Sequence, residues 1–428
     1  MMQIINGYEM GINALNRKNG EDVDNAILET VTDILAQVKV SGDAAIKRFT
    51  EKFDGKKLTN IEINQANWLK SLEILPPNLK ESLQVAAKRI QDFHQLSMPK
   101  PWSSISGEYE EKIIPIETVG IYVPGGTANY PSAVLMDVIP AKVAGVPNVI
   151  VCTPDPTDAV LASAKIAGAD RLFQVGGAQA IAAMAYGTES IPQVDKICGA
   201  GGTYVSAAKK MVYGDVGIDG IYGPTETLIV ADSSATPSVL AADLLAQAEH
   251  DTLAIPILIT DDVNLAKATI EEIYLQLPEL ERYEIAKESI ANKALAVVLD
   301  DIGQAPDLIN QFSPEHVCLI LKNPENCIKG LKSAGGVFVG EYSPEVIGDY
   351  VAGPSHTMPT SGTARFSSYL GVDHFLRKMP VVRLGHEGFN KLATSAATIA
   401  REEGLTAHAN AVELRLTRDS KNQGLDNE

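Results

Sequence analysis

Val119-Gly-Ile-Tyr-Val123, a helix-spaced run from Ser132 to Ala144, and Asn148-Val-Ile-Val-Cys152 form the stretch that decides the fold. Two short β-branched runs without polar alternation read as strands buried on both faces, and parallel strands need a crossover helix like the one between them. The rhythm continues outward with a helix from Asp158 to Ala167, Arg171-Leu-Phe-Gln-Val175 and a helix from Ala178 to Tyr186. It resumes at Thr227-Leu-Ile-Val-Ala231, a helix ending at His250, Ile255-Pro-Ile-Leu-Ile259 and helices across 264–293. Ala294 to Leu299, a helix from Ile302 to Phe312, Val317-Cys-Leu-Ile-Leu321, a helix from Glu325 to Ser333 and Gly336-Val-Phe-Val339 complete it. Strands alternating with helices predict an α/β protein with two doubly wound sheets. A cleft between them would collect ligands outside the carboxyl ends of the strands.

On the amino-terminal side, Asp22 to Val40, Asp43 to Phe53 and Pro77 to Leu96 repeat apolar residues at three and four, which predicts helices. On the carboxyl-terminal side Phe389 to Glu402 does the same, and Asp419 to Glu428 is polar enough to fray. Four regions are expected. Residues 1–116 form a helical amino-terminal region packed with the second α/β domain, 117–225 and 226–370 the two α/β domains, and 371–428 a helical tail.

The chain has 428 residues and a formal net charge of -18, from 36 Lys plus Arg against 54 Asp plus Glu. An acidic surface argues against nucleic-acid binding, which needs a basic footprint. The amino terminus lacks the basic stretch and apolar core of a secretory signal, and no apolar run approaches the ~20 residues that span a bilayer. Cys152, Cys198, Cys318 and Cys327 form no Cys-x-x-Cys pair, so a reduced, cytoplasmic protein without a membrane partner is expected. Cys152 and Cys318 read as buried strand residues.

Glycines cluster at the strand-to-helix junctions, in Pro124-Gly-Gly-Thr127, Val175-Gly-Gly-Ala-Gln179 and Gly199-Ala-Gly-Gly-Thr-Tyr204. Each serves as a tight turn, or lets a phosphate reach backbone N–H groups at a helix start; none is a Gly-x-Gly-x-x-Gly fingerprint. Gln247 and His250 fall one turn apart on a helix, so two ligand-type side chains share a face. Further polar groups occur in Ser313-Pro-Glu-His316, in the stretch from Gly348-Asp349 to His356, and in Glu403-Gly-Leu-Thr-Ala-His408. A base at an element end can face a cleft, as Glu315 and His316 would, yet each group also has an ordinary structural reading as a turn or surface residue. His94, His374 and His386 have no partner pattern.

Taken in order, Val119-Gly-Ile-Tyr-Val-Pro-Gly-Gly126, Val175-Gly-Gly-Ala-Gln-Ala-Ile-Ala-Ala183, Val194-Asp-Lys-Ile197, Gly223-Pro-Thr-Glu226, Gln247-Ala-Glu-His250, Ser313-Pro-Glu-His316, Gly348-Asp-Tyr-Val-Ala-Gly353 and Leu405-Thr-Ala-His-Ala-Asn-Ala-Val412 resemble the histidinol dehydrogenase family over roughly residues 25–415. The resemblance implies two Rossmann-like domains, NAD and Zn2+ as cofactors, and oxidation of L-histidinol through L-histidinal to L-histidine. It also implies a homodimer in which the tail completes the neighbouring subunit's site. It makes Gln247, His250, Asp349 and His408 the zinc ligands, His316 the base for the alcohol and Glu315 the group that activates water. Thr225, His356 and Glu403 match substrate-contacting positions, as do the four ligands and His316, while Tyr122, Gln179 and Gly202 match the positions that contact NAD. Two departures stand out. Gly199-Ala-Gly-Gly202 replaces the family's Gly-Pro-Gly-Asn, removing one side-chain hydrogen bond to NAD, and Thr225 replaces a serine. The readings that compete are a related enzyme acting on another primary alcohol, favoured less by Glu403, a zinc hydrolase, and a non-catalytic metal-binding protein.

Overall fold

The computed structural model describes residues 2–17, 24–125 and 130–423. The chain opens with strand β1 (Gln3–Asn6) and helices α1 (Tyr8–Ala14), α2 (Asn25–Asp54), α3 (Gln65–Ile74) and α4 (Pro77–Leu96), then strands β2 (Trp102–Ser103) and β3 (Tyr109–Pro115). The first α/β series is β4 (Thr118–Tyr122), α5 (Pro131–Val143), β5 (Asn148–Cys152), α6 (Asp158–Ala167), β6 (Arg171–Phe173), α7 (Gly177–Tyr186), β7 (Lys196–Cys198), α8 (Thr203–Val212) and β8 (Gly217–Ile218). The second is β9 (Glu226–Ala231), α9 (Pro237–Ala248), β10 (Ile255–Thr260), α10 (Val263–Gln276), α11 (Tyr283–Asn292), β11 (Leu295–Val298), α12 (Ala305–Phe312), β12 (His316–Ile320), α13 (Glu325–Gly330), β13 (Gly336–Val339) and α14 (Glu345–Tyr350). β14 (Leu376–Val382), α15 (His386–Glu402) and α16 (Thr406–Gln423) follow.

The first sheet runs β6-β5-β4-β7-β8, parallel throughout, with Tyr122 opposite Cys152 and Val119 opposite Lys196. The second runs β1-β11-β10-β9-β12-β13, again parallel, with His316 opposite Thr227. Leaving β1 aside, each sheet starts in its middle, winds outward, and returns to wind the other way, so each has one switch point: β4/β7 and β9/β12. The α/β class with two doubly wound sheets is the expected one.

The amino-terminal region departs from expectation. It was expected to be helical and to pack with the second α/β domain. Instead, α2 covers one face of the first sheet, where Val31, Ile34, Ile46 and Phe49 meet Phe173 and Ile181. On the other face α5 packs on β4 and β5, and α3 and α4 pack outside it against α6 and α5, so that Trp68 and Ile90 join the core cluster of Ile121 and Met136. Each such fully buried side chain contributes roughly 1.5–3 kcal/mol by area. Among the described residues, β1 joins the second sheet beside β11, and α1 packs in the cluster of Leu228, Ile257 and Val317 with Leu308 of α12. The two helices expected between Asp22 and Phe53 are one kinked element. Gly42 holds φ 49° at the kink, and a Cβ there would meet the Glu189 carboxylate that accepts from Asp43 N–H at 2.8 Å. Residue Asp22 itself lies outside the described residues.

The chain divides into two compact units, Met1–Met98 with Pro115–Leu376, and Pro99–Ile114 with Arg377–Glu428. Both sheets belong to the first. The second is therefore not a purely helical tail: it contains β2 and β3, antiparallel through Trp102 and Glu111, beside β14. Its helical part is small, with Ala397, Ala400, Ala409 and Val412 packed together, an Arg401–Glu413 ion pair at 2.6 Å, and Leu392, Ile399, Leu405 and Leu414 exposed. The carboxyl-terminal residues 424–428 of the expected frayed end lie outside the described residues. Among the described residues no helix is long and apolar enough to cross a membrane.

Candidate active site

Glu226 begins β9 and His316 begins β12, so the switch point of the second sheet brings residues 225–227 and 315–316 side by side at the amino ends of the strands. α9 runs antiparallel to its strands and delivers Gln247 and His250 to the same edge. The first lobe faces it with the opposite edge, the carboxyl ends of β4 and β7, through Pro124 and Ala200. The expected cleft at the carboxyl ends thus holds for the first lobe only. In the second, β12 is entered through the Ser313 turn, with Glu315 just before the strand and His316 its first residue.

Between the lobes lies a cavity of about 200 Å³ walled by Thr225, His250, Glu315, His316, Asp349 and His356. His316 is 3% exposed. Its Nδ1 lies 3.3 Å from the Glu226 carbonyl oxygen, which makes Nδ1–H the donor and leaves Nε2 a lone pair. Nε2 is buried, has no hydrogen-bond partner among the described residues, and lies 3.7 Å from Asp349 Oδ1. Burial lowers the His316 pKa from its ordinary value, opposed by the Asp349 carboxylate, so the ring is neutral at neutral pH. Glu315 Oε2 accepts from Thr225 Oγ1 at 2.6 Å and from Glu226 N at 3.1 Å. Burial pushes its carboxyl well above the ordinary range against these two donors, and Glu226 and Asp349 add to the rise. A neutral imidazole with a free nitrogen and a carboxyl of raised basicity, 3.7 Å from Nδ1, are two proton acceptors.

Behind the cavity Gln247 is 2% exposed. Its Nε2 donates to Thr225 Oγ1, and its Oε1 accepts from Thr227 Oγ1 at 2.7 Å. Thr227 Oγ1 also meets Glu345 Oε2. The hydroxyl has one proton, already given to Gln247, so a neutral Glu345 satisfies the second contact; burial, then Asp349, pushes that carboxyl well above the ordinary range. His356 Nδ1 lies 3.1 Å from the Asp349 carbonyl oxygen, and burial lowers its pKa.

Gln247, His250 and Asp349 thus belong to one region, with Thr225, His356, Glu315 and His316. Glu403 and His408 belong to the second unit, Glu403 at the end of α15 and His408 in α16, both exposed. Among the described residues, no three His, Cys, Asp or Glu side chains converge as a ready cluster. The implied ligand set supplies only His250 and Asp349 of that kind to the first unit. The donor chemistry nevertheless fits Zn2+: His250 offers nitrogen and Gln247 and Asp349 oxygen, and Asp349, Glu315 and Glu345 have no lysine or arginine paired to them among the described residues.

The NAD-contacting candidates meet at the carboxyl edge of the first sheet. Gly177 N donates to Tyr122 Oη at 3.1 Å, and Gln179 follows two residues later, 2% exposed. Burial pushes the Tyr122 phenol up to about 12. Helices α7 and α8 start at Gly176 and Gly202 with no side-chain cap, leaving N–H groups for a phosphate, which fits a dinucleotide. Around Gly202 a Cβ would meet nothing within 4 Å. The turns at Gly125 and Gly176 are also packing devices, since a Cβ at either would come within 2.8 Å of Pro154. Gly126 and Thr127 lie outside the described residues.

Sequence reasoning missed Asp137, Glu345 and Thr227, and gave Glu226 no role. Asp137 faces the cavity from α5, accepts from Thr357 Oγ1 at 2.7 Å, and is pushed up to about 7 by burial. A carboxylate amid the apolar Ser132–Ala144 run was the available signal for it.

Residues 16–416 match the histidinol dehydrogenase family model. The chain is 46% identical to the histidinol dehydrogenase of Aquifex aeolicus over 405 residues, covering 93% of this chain and 94% of that one. It is also 46% identical to that of Lactiplantibacillus plantarum over 424 residues, covering 97% and 99%. The crystal structure of histidinol dehydrogenase from Elizabethkingia anophelis superposes with a TM-score of 0.93 at 34% identity, covering 98% of this chain and 99% of that one. With its two parallel sheets and the Glu315–His316 pair at their cleft, the chain belongs to the histidinol dehydrogenase family.

Proposed function

We propose that this chain oxidises L-histidinol through L-histidinal to L-histidine, with His316 and Glu315 as successive proton acceptors. Histidinol dehydrogenases act in histidine biosynthesis, depend on NAD and use zinc. The observation that carries the residue assignment is His316, with Nδ1 held by the Glu226 carbonyl and Nε2 free in the cavity beside Glu315.

Gln247, His250, Asp349 and His408 would hold zinc, and Tyr122, Gln179 and Gly202 would contact NAD. When bound, NAD accepts the hydride and zinc fixes the substrate through its nitrogen donors. His316 Nε2 takes the hydroxyl proton as the alcohol carbon loses hydride, and the Nδ1–H···O=C bond to Glu226 stabilises the imidazolium so formed. An aldehyde has no second hydride to give until water adds to it. Glu315 takes that water's proton while Thr225 Oγ1–H and Glu226 N–H hold its other lone pairs, and the hydrate then yields the second hydride and the acid. Asp349, His356 and Glu403 would line the substrate. The enzyme is read as a cytoplasmic homodimer in which the partner copy supplies His408 and Glu403; the exposed Leu392, Ile399, Leu405 and Leu414 support such an assembly.

Replacing His316 with Asn tests the division of roles. Oxidation of L-histidinol should fall about 10³-fold, while oxidation of supplied L-histidinal is largely retained. Equal loss of both steps would contradict it.

A further inference from the structure

Arg17 follows α1 and lies far in sequence from both catalytic candidates, yet it ties their supporting segments together. Its Nε donates to the Phe312 carbonyl at 2.6 Å, and its guanidinium stacks 3.8 Å over the Phe312 ring. Nη1 and Nη2 donate to the two oxygens of Glu226 at 2.7 and 2.6 Å. Glu226 is 1% exposed, and its Oε1 also accepts from Ser361 N at 3.0 Å. A planar fork that meets a carboxylate with two nitrogens and a carbonyl with the third fixes all three positions; an ammonium cannot reproduce this.

Both partners of this fork lie next to the catalytic pair. The main chain of Glu226 holds it: N–H donates to Glu315 Oε2 at 3.1 Å, and C=O receives His316 Nδ1 at 3.3 Å. Phe312 is the last residue of α12, and Ser313 after it holds φ 51° to turn the chain into Pro314-Glu315-His316. The guanidinium therefore clamps the start of β9 to the turn before β12. Without it, Glu226 would be a buried carboxylate with no other ion-pair partner among the described residues, and its main chain would move as the side chain sought water.

We propose that Arg17 is a positioning residue for the Glu315–His316 pair: acting through Glu226, it sets the His316 tautomer and the seat of the Glu315 carboxyl. This rests on the reading of His316 and Glu315 as proton acceptors. The test is Arg17→Gln and Arg17→Lys in the full chain, with thermal unfolding, zinc content, steady-state kinetics, and 15N NMR of the imidazoles, His316 assigned by its absence in His316→Asn. Arg17→Gln should retain zinc and keep its KM for L-histidinol within about twofold while kcat falls about 100-fold, and Arg17→Lys should recover part of that loss. The His316 ring should be the Nδ1–H tautomer in the native protein and a mixture in Arg17→Gln. Folded Arg17→Gln with native kcat and an unchanged tautomer would overturn the proposal. If Arg17→Gln does not fold, Glu226→Gln carries the same prediction through the other partner. If the native protein does not oxidise L-histidinol, the tautomer measurement still decides on Arg17, so the two failures are distinct.

Discussion

At Gly202, where the resemblance implies an asparagine, the surroundings say what introducing that side chain would do. Gly202 starts α8 with φ -65°, a conformation open to any residue, and a Cβ there would meet nothing within 4 Å. Gly202→Asn should therefore fold normally and add one side-chain hydrogen bond. A net gain of about 1 kcal/mol corresponds to a roughly fivefold lower KM for NAD. An unchanged KM would show that the backbone N–H groups already do what the asparagine does. At this scale the sequence offered Glu315 next to His316, and both line the cavity; Gln247 and His250 also reach one region, although α9 ends at Ala248 and His250 lies in the turn after it rather than on the expected helix. It was silent on Glu226 and Arg17, because Glu226 holds the pair through its main chain and the partners of Arg17 lie 209 and 295 residues away.

Among the elements, helix α4 carries a titratable group into an apolar core. His94 is fully buried against Phe93 and Tyr369, neither ring nitrogen has a hydrogen-bond partner among the described residues, and burial lowers its pKa from 6.5 to about 4. In the unfolded chain this ring gains its proton below about pH 6.5, in the folded protein only near pH 4. Between those values the unfolded state binds more protons, so stability is lost as pH falls. His94→Leu should flatten the acid limb of the stability curve by up to about 3 kcal/mol between pH 7 and pH 4, measured by urea unfolding. An unchanged limb would mean that the ring is protonated in place. The sequence disclosed α4 through its apolar period but not which sheet it covers, because any amphipathic helix fits either lobe. The buried parallel strands were legible as unbroken apolar runs. The strands β1, β2 and β3 were not: each is short or largely exposed, with little apolar patterning to detect.

For the whole molecule, the edge that each sheet turns to the cleft matters most. The first lobe offers its carboxyl edge and two uncapped helix starts, which suit a dinucleotide, and the second its amino edge and a proton-accepting pair. The sequence showed two doubly wound sheets but not this opposition, which depends on how the sheets are docked. If the partner copy completes each site, mixing inactive His316→Asn and His408→Asn chains should restore about one quarter of native activity, because half the dimers are then mixed and each has one intact site. No recovery after verified exchange would require each chain to be self-sufficient. The four-electron reaction itself is tested most directly by counting NADH formed per L-histidinol consumed by the zinc-loaded protein. Two hydrides leave the substrate on the way to the acid, so the ratio should be two, abolished by a chelator and restored by zinc. A ratio of one, with aldehyde released, would contradict the second oxidation, and no NADH from folded, zinc-loaded protein would contradict the substrate.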